Sequence, residues 1–389
     1  MTLTPKNSNS QDSLRLLFVA NVDWFFISHR LELARAASDA GFEVHVAAAA
    51  SGASVTIEEA GARFHPLPLS RSGVHPLREM TSLRSLIRLY RTLQPHLIHH
   101  VSIKPILYGS LAARLIPQAA VINALSGFGS MIEGRSKTRR GIVLRTYRAL
   151  FASKRTHVIV QNEGHRKLLT EQGIAHTSRV HLIEGSGVDT TRFVPEPERR
   201  ADPPIVVLVG RMLIDKGVRE FVEAATLLRN SVRARFVLVG PANDENPSAI
   251  SREELESWTR EGSVEWWGPR DDIERVLPRA SAFVSASYHE GLPKAMLEAA
   301  ACGLPIIATD IAGHRGVVDE STGVMVPPRD AGALAAAIES LLSDPDRAMH
   351  LGRNARTRIQ HRYTTESVVD QTMRLYARLL PESGHHAHQ

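Results

Sequence analysis

Glu290 and Glu298, with seven residues between them, stand in the stretch SYHEGLPKAMLEAAACGLPIIATD, Ser287 to Asp310. An apolar strand over Ala282 to Ala286 precedes it. A turn carries His289, Glu290 and Gly291, a Pro-started helix follows, Gly303 stops that helix, and Pro305 to Thr309 predicts the next strand. Two carboxylates and a run of open backbone N–H groups thus meet at one helix N-terminus, a place suited to a phosphorylated, hydroxyl-rich ligand. The carboxylates fit an acid/base pair of the glycoside-cleaving kind. They fit equally a pair of hydroxyl binders, Glu290 on a sugar ring and Glu298 on the vicinal hydroxyls of a ribose; a third reading makes Glu298 a buried helix residue paired with an arginine. Gly291, Leu292 and Pro293 favour binding, because they leave N–H groups at the helix start and let a ligand approach closely.

Arg211 and Lys216 follow the strand in VVLVGRMLIDKGVREF and can point into the crevice outside the strand carboxyl ends, where Glu290 also lies. A guanidinium fork and a mobile ammonium suit a diphosphate, at about 1.5–3 kcal/mol per charge-assisted hydrogen bond. In the first half, Trp24, His29, His100, Ser102, Lys104 and Ser126 fall at predicted strand carboxyl ends. Each has a core-packing or solvated reading beside its ligand-binding one. His289-Glu290 lacks a second His four residues on, no G-x-G-x-x-G or G-x-x-x-x-G-K-[ST] is present, and no Cys/His cluster has metal-ligand spacing. No metal and no resident cofactor are therefore expected.

The elements that must position these residues alternate. Leu14 to Asn21 predicts a strand, Asp23 to Ser28 a loop, Arg30 to Ala40 a helix capped by Gly41, and Phe42 to Ala49 a strand. The alternation continues through a helix over Ile106 to Leu115 and a strand over His157 to Gln161. Glu184 to Asp189 and Pro195 to Pro204 read as a linker, and a second alternating unit starts at Ile205. This is an α/β pattern of parallel sheets covered on both faces. The expected organisation is a disordered lead (1–13), a first domain (14–198), a second domain (199–365), a final helix over about 366–381 and a disordered tail (382–389).

The 389 residues suffice for two such domains. A single cysteine, Cys302, excludes a disulfide framework and suggests a reducing compartment. No signal peptide and no transmembrane run are visible. The formal charge of +6 conceals an asymmetry: residues 1–200 carry 26 Lys/Arg against 15 Asp/Glu, the remainder 21 against 26. The first half therefore faces anionic partners. Within it, Gly134 to His157 holds Arg135, Lys137, Arg139, Arg140, Arg145, Arg148, Lys154 and Arg155 without an acid, with apolar residues at helical spacing. That stretch reads as a surface helix packed on the sheet, as a basic face on anionic lipid, or as both.

GRMLIDKG, FVLVGPA, VEWWGPRDD and SASYHEGLPKAMLEAAACGLPIIATDIAGHRGVV with GVMVPPRD resemble the retaining glycosyltransferases of family 4, over about 200 to 380. The first half (WFFISHRLELARAA, HHVSIKPILYGSLAARL, INALSGFG) is similar to a bacterial subgroup that extends undecaprenyl-diphosphate-linked saccharides, often with an N-acetylhexosamine. The resemblance implies a GT-B fold, two Rossmann-like doubly wound domains facing a cleft, with the final helix crossing back to the acceptor-binding first domain. It implies that Arg211 and Lys216 hold the diphosphate of a UDP-sugar donor, Glu290 its sugar and Glu298 its ribose. Backbone from Gly291 to Pro293 would contact phosphate and sugar, with the base near Trp267 to Arg270 and Gly268 and Arg270 among the donor-binding residues. It further implies metal-independent transfer with retained configuration to a polyprenyl-diphosphate-linked acceptor, and no nucleic-acid partner. The enzyme would be cytoplasmic, peripheral on the inner membrane face. Trp24 to Ser28 stands where many relatives carry Gly-Gly, and Ser126 where many carry a His; His100 is the substitute candidate for that His. A UDP-HexNAc 2-epimerase of the same fold and a non-catalytic membrane or glycan-binding module are the alternatives.

Overall fold

The computed structural model describes residues 13–69, 76–125, 137–242, 246 and 248–380. Ser126, the start of the basic stretch, the expected lead up to residue 12 and the expected tail lie outside the described residues.

Short runs, four of them buried at every residue, form parallel strands, and the stretches between them form the covering helices. One compact unit comprises Met1–Glu184 with Glu366–Gln389. It contains β1 (Arg15–Val22), α1 (Asp23–Asp39), β2 (Glu43–Ala49), α2 (Ser54–Glu59), β3 (Arg63–Pro66), α3 (Pro76–Leu93), β4 (Leu97–Val101) and α4 (Ile103–Ala113). β5 (Ala120–Leu125), α5 (Lys137–Leu150), β6 (Thr156–Val160), α6 (Glu163–Glu171) and β7 (Val180–Leu182) follow. Among the described residues its strands make one sheet in the order β3-β2-β1-β4-β5-β6-β7.

The second unit, Gly185–Thr365, holds β8 (Ile205–Val209), α7 (Val218–Leu228), β9 (Arg235–Val239), α8 (Arg252–Arg260), β10 (Glu265–Trp266) and α9 (Ile273–Val276). It continues with β11 (Ala282–Ser285), α10 (Lys294–Ala301), β12 (Ile306–Thr309), β13 (Gly323–Val326), α11 (Ala331–Ser343) and α12 (Pro345–Arg362). Its sheet runs β10-β9-β8-β11-β12-β13. Both sheets are parallel, and apolar clusters fill both faces of each. The final helix, α13 (Thr365–Leu379), belongs to the first unit: Val368, Leu375 and Tyr376 join Leu16, Phe18 and Leu33 in one core.

Three sequence expectations need correction. The boundary falls after Glu184, because the expected linker is part of the second unit's core. Val188 pairs with Thr364, and Phe193 packs among Val207, Phe283 and Tyr363. Asp23 to Ser28 is helix, not loop. The buried Asp23 carboxylate accepts the N–H groups of Trp24 (2.7 Å), Ser51 (2.7 Å) and Ala53 (3.1 Å), so the chain enters α1 without a turn residue. Burial alone would raise that carboxyl; the hydrogen bonds from Ser51, Trp24 and Ala53 hold it below its usual range. Lastly, α4 begins at Ile103 rather than at Ile106.

The anchor of α13 is polar as well as apolar. Fully buried Tyr376 shares a hydrogen bond with His99 Nδ1, and burial keeps that imidazole neutral. Replacing Tyr376 by Ala is expected to cost about 3–5 kcal/mol from lost burial and the cavity left behind. Phe should cost about 1–2 kcal/mol, because it leaves His99 unpaired. Urea unfolding reads both, and an unchanged midpoint for Tyr376→Ala would show that α13 does not rest in this core.

Candidate active site

The site residues of the second unit gather where backbone leaves no room for a side chain. Gly217 ends the short turn Ile214–Lys216 in the left-handed region (φ 68°) and starts α7; a Cβ there would lie 2.1 Å from Ala286 O. This contact holds the turn after β8 against the end of β11, a close approach that only glycine allows. From the other side, a Cβ on Gly313 would lie 2.5 Å from Glu290 O. The loop carrying Glu290 is thereby held between two backbone segments.

The close approach sets Lys216 beside Glu290, and Lys216 Nζ donates to Glu290 Oε1. Ser287 Oγ donates to the same oxygen (3.1 Å). Burial alone would raise the Glu290 carboxyl; the Lys216 ammonium and the Ser287 hydroxyl outweigh it and hold the group below the usual carboxylate range. Arg211 leaves β8 half-buried and, among the described residues, without a hydrogen-bond partner. The start of α10 follows Glu290 through buried Gly291 and half-buried Leu292 and Pro293, and Pro293, at the N-cap position, makes no side-chain cap. An ion pair, a guanidinium and a helix N-terminus therefore lie at the carboxyl ends of β8 and β11, an arrangement suited to an anion bearing hydroxyl groups.

Glu298 belongs to a different electrostatic setting. It lies in the second turn of α10, with Lys294 Nζ 3.8 Å away and the Arg192–Glu274 pair as its other charged neighbours. Burial pushes its carboxyl up, and those cations only partly offset it. Glu290 and Glu298 share none of their perturbing groups, which favours separate binding tasks over an acid/base pair. Gly268 (φ 69°) follows β10 and accepts the N–H of Gly240 at 2.8 Å, and Arg270 is exposed in a two-point pair with Asp272 (2.7 Å).

A buried chain of polar groups behind Glu290 was not anticipated. Neutral His314 is fully buried, with its pKa brought down to about 4 chiefly by burial. Its Nδ1 donates to Thr309 O (2.7 Å) and its Nε2 accepts from Ser285 Oγ (3.1 Å), while Thr309 Oγ1 donates to Ser287 O. The one sequence signal is a His five residues after the end of β12, in AGHRG, next to Gly313.

In the first unit the candidates lie at or after the carboxyl ends of the paired strands β1 and β4. His100 is the clear correction. Its Nδ1 donates to Asn123 Oδ1 (2.7 Å), its Nε2 accepts from Tyr90 OH (2.8 Å), and a Cβ on Gly109 would lie 2.3 Å from that Nε2. Fully buried and held neutral with a pKa of about 4, it is a core residue and has no face for a substrate. Lys104 pairs with Glu79 (2.6 Å), and buried Ser102 precedes α4 with a left-handed φ of 81°. His29 stacks on Phe25 (4.2 Å between centroids) and bonds Ser28 Oγ (2.6 Å), whereas Trp24 is 40% exposed on α1.

Residues 203–344 match the family model described as glycosyl transferases group 1, and residues 15–162 match the one described as glycosyl transferase 4-like. The chain is 27% identical over 383 residues to the N,N'-diacetylbacillosaminyl-diphospho-undecaprenol alpha-1,3-N-acetylgalactosaminyltransferase of Campylobacter jejuni, covering 94% of this chain and 99% of that protein. It is 25% identical to the UDP-Gal:alpha-D-GlcNAc-diphosphoundecaprenol alpha-1,3-galactosyltransferase of Escherichia coli, covering 86% and 89%. Among solved structures, the fold matches Anabaena Alr3699/HepE in complex with UDP and glucose (TM-score 0.76, 16% identity, 94% of this chain and 100% of that one). It also matches the sucrose-phosphate synthase of Thermosynechococcus elongatus (TM-score 0.75, 22% identity, 94% and 99%).

The two carboxylates predict opposite pH behaviour. Glu290, depressed in the folded state, contributes stability present above the unfolded value of about 4.3 and lost as pH falls through its folded value. Lys216→Met is expected to cost about 3–5 kcal/mol near pH 7 by leaving a buried carboxylate unpaired, a loss that shrinks in acid as Glu290 protonates. Glu298, raised in the folded state, loses its stabilising contribution as pH rises from the unfolded towards the folded value. Glu298→Gln is thus expected to raise the melting temperature at pH 7 and to give no gain near pH 4. Thermal melts from pH 3.5 to 8 check both signs.

Proposed function

The chain belongs to the glycosyltransferases of the group 1 and 4-like families and has the GT-B fold, and we propose that it moves a sugar from a UDP-sugar to a polyprenyl-diphosphate-linked saccharide, with retention at the anomeric carbon. The observation that carries this reading is the Lys216–Glu290 ion pair at the ends of β8 and β11, with Arg211, which has no hydrogen-bond partner among the described residues, following β8 and the N-terminus of α10 following the Glu290 loop. Arg211 and Lys216 hold the diphosphate and stabilise the charge that gathers on it as the anomeric C–O bond breaks. Glu290 holds hydroxyls of the sugar, Glu298 those of the ribose, and Gly291 to Pro293 offer backbone to phosphate and sugar. The base rests near Gly268 and Arg270. The acceptor hydroxyl attacks on the face from which the diphosphate departs, and its proton passes to the leaving phosphate oxygen. With two cations meeting that charge, the transfer needs no divalent metal and no resident cofactor.

The two relatives named above act, by name, on diphospho-undecaprenol saccharides, which supports the acceptor class and an N-acetylhexosamine or hexose as the transferred sugar. On the first unit, Trp24, His29, Ser102 and Lys104 are the acceptor-side candidates within the described residues; His100 is not retained among them. Purified protein offered several UDP-, GDP- and ADP-sugars with a lipid-linked saccharide is expected to release nucleotide only from a UDP-sugar, in EDTA as in magnesium. NMR of the product should show the donor's anomeric configuration. Arg211→Ala should lower kcat/KM by about 10²–10³. Epimerised UDP-sugar formed without acceptor would move the assignment to an epimerase of this fold, and unchanged turnover in Arg211→Ala would remove the diphosphate role.

We further propose attachment to the cytoplasmic face of the membrane. α5 buries Tyr147 and Leu150 while leaving Arg140, Arg145 and Ile142 exposed, a basic and partly apolar surface suited to anionic lipid. No described helix is long and apolar enough to cross a membrane. Sedimentation with liposomes should show binding that rises with anionic lipid content and weakens in Arg140→Glu/Arg145→Glu. Equal binding to neutral vesicles would remove the electrostatic argument.

A further inference from the structure

Arg329 occupies the loop between β13 and α11 with φ at 62°, in the left-handed region that a side chain occupies at a cost and a glycine freely. The next residue, Asp330, caps α11 by accepting the N–H of Ala333 (2.8 Å), so the turn is fixed just where the arginine is strained. The exposed Arg329 guanidinium lies over the ring of Tyr288, 4.3 Å from its centroid, within the range of a cation–π contact.

Tyr288 stands two positions before Glu290 and is 8% exposed. Its backbone N–H donates to Asp215 O (2.9 Å), in the turn that carries Lys216, and its hydroxyl donates to Glu220 Oε1 on α7. One side chain thus ties the Glu290 loop to α7, and its backbone ties the same loop to the Lys216 turn. The arginine covers one face of the same ring. A strained, non-glycine backbone conformation held over a loop that bears a binding carboxylate points to a functional constraint.

We propose that Arg329 and Tyr288 are positioning residues for Glu290: the Arg329–Tyr288 stack and the Tyr288–Glu220 hydrogen bond clamp the loop that presents the carboxylate. The clamp rests on the transfer reading for its consequence in catalysis, but not for its effect on the loop. Side-chain placement governs rate steeply, since a shift of about 1 Å at a reacting group can cost about 10²-fold.

The test uses the full-length protein with Arg329→Gly and Arg329→Lys. Arg329→Gly relieves the backbone strain, so its melting temperature is expected to hold or rise. Amide hydrogen exchange in peptides covering Ser287 to Leu292 should nevertheless speed up, and kcat for sugar transfer should fall about tenfold. Arg329→Lys, which keeps a cation over the ring, should recover most of the exchange protection and of kcat. Unchanged exchange in Arg329→Gly overturns the clamp whatever the activity. Faster exchange with unchanged kcat and KM overturns its positioning role. A fall in kcat matched by a fall in melting temperature, with exchange faster across the whole second unit, reduces Arg329 to a structural residue and also overturns it. If the wild-type protein moves no sugar while the loop loosens as expected, the clamp stands and the transfer reading fails.

Discussion

The second unit depends on one backbone contact, Gly217 against Ala286 O. Without a side chain at 217 the turn after β8 can lie on the end of β11, and Lys216 comes within hydrogen-bonding reach of Glu290. The carboxylate could not be buried otherwise, because an ionised group taken from water without a partner neutralises or destabilises the fold. The same contact therefore fixes geometry and charge state together. Lys216 gives one of its three N–H donors to Glu290, and under the proposed function the others serve the diphosphate. A site assembled this way carries its electrostatics before substrate arrives, which is the condition under which fixed charges lower a barrier most.

The two carboxylates divide the cost of burial differently. Glu290 is offset by a cation and a hydroxyl, whereas Glu298 has only the more distant Lys294 and the already paired Arg192. An under-compensated carboxylate gains most when a ligand supplies donors, and the paired hydroxyls of a ribose are such donors. Under the proposed ribose-binding role, stability and function pull apart at Glu298, as they do at many binding residues.

Much of this was legible in the sequence. Runs such as IVVLV and AFVS gave the strands, and Gly303 with its flanking apolar runs gave the ends of α10. Arg211, Lys216 and Glu290 were legible because strand-end position is a topological fact of parallel sheets. What failed had physical causes. Asp23 to Ser28 read as a loop because Trp, Phe and Ser carry weak helix propensity; the helix starts there because the Asp23 carboxylate anchors it to Ser51 and Ala53, residues from another strand's loop. His100 read as a strand-end ligand because every residue of β4 is buried, so no alternation marked which side chains face inward. His314 was missed because its role lies in hydrogen bonds to Thr309 and Ser285 that no local pattern announces.

The contrast between the units bears on how such a protein can vary. In the second unit, positions that fix the site are glycines whose added Cβ would collide with backbone, at Gly217, Gly240 and Gly313. Backbone-to-backbone fits of that kind tolerate almost no substitution, so the second unit is constrained wherever this geometry is kept. In the first unit the strand ends are occupied by side-chain pairs, His100 with Asn123 and Tyr90, and Lys104 with Glu79. Side chains can be exchanged without moving strands. A chain built this way can change what its first unit recognises while leaving its second unit intact, and that is why sequence motifs speak clearly for one half and quietly for the other.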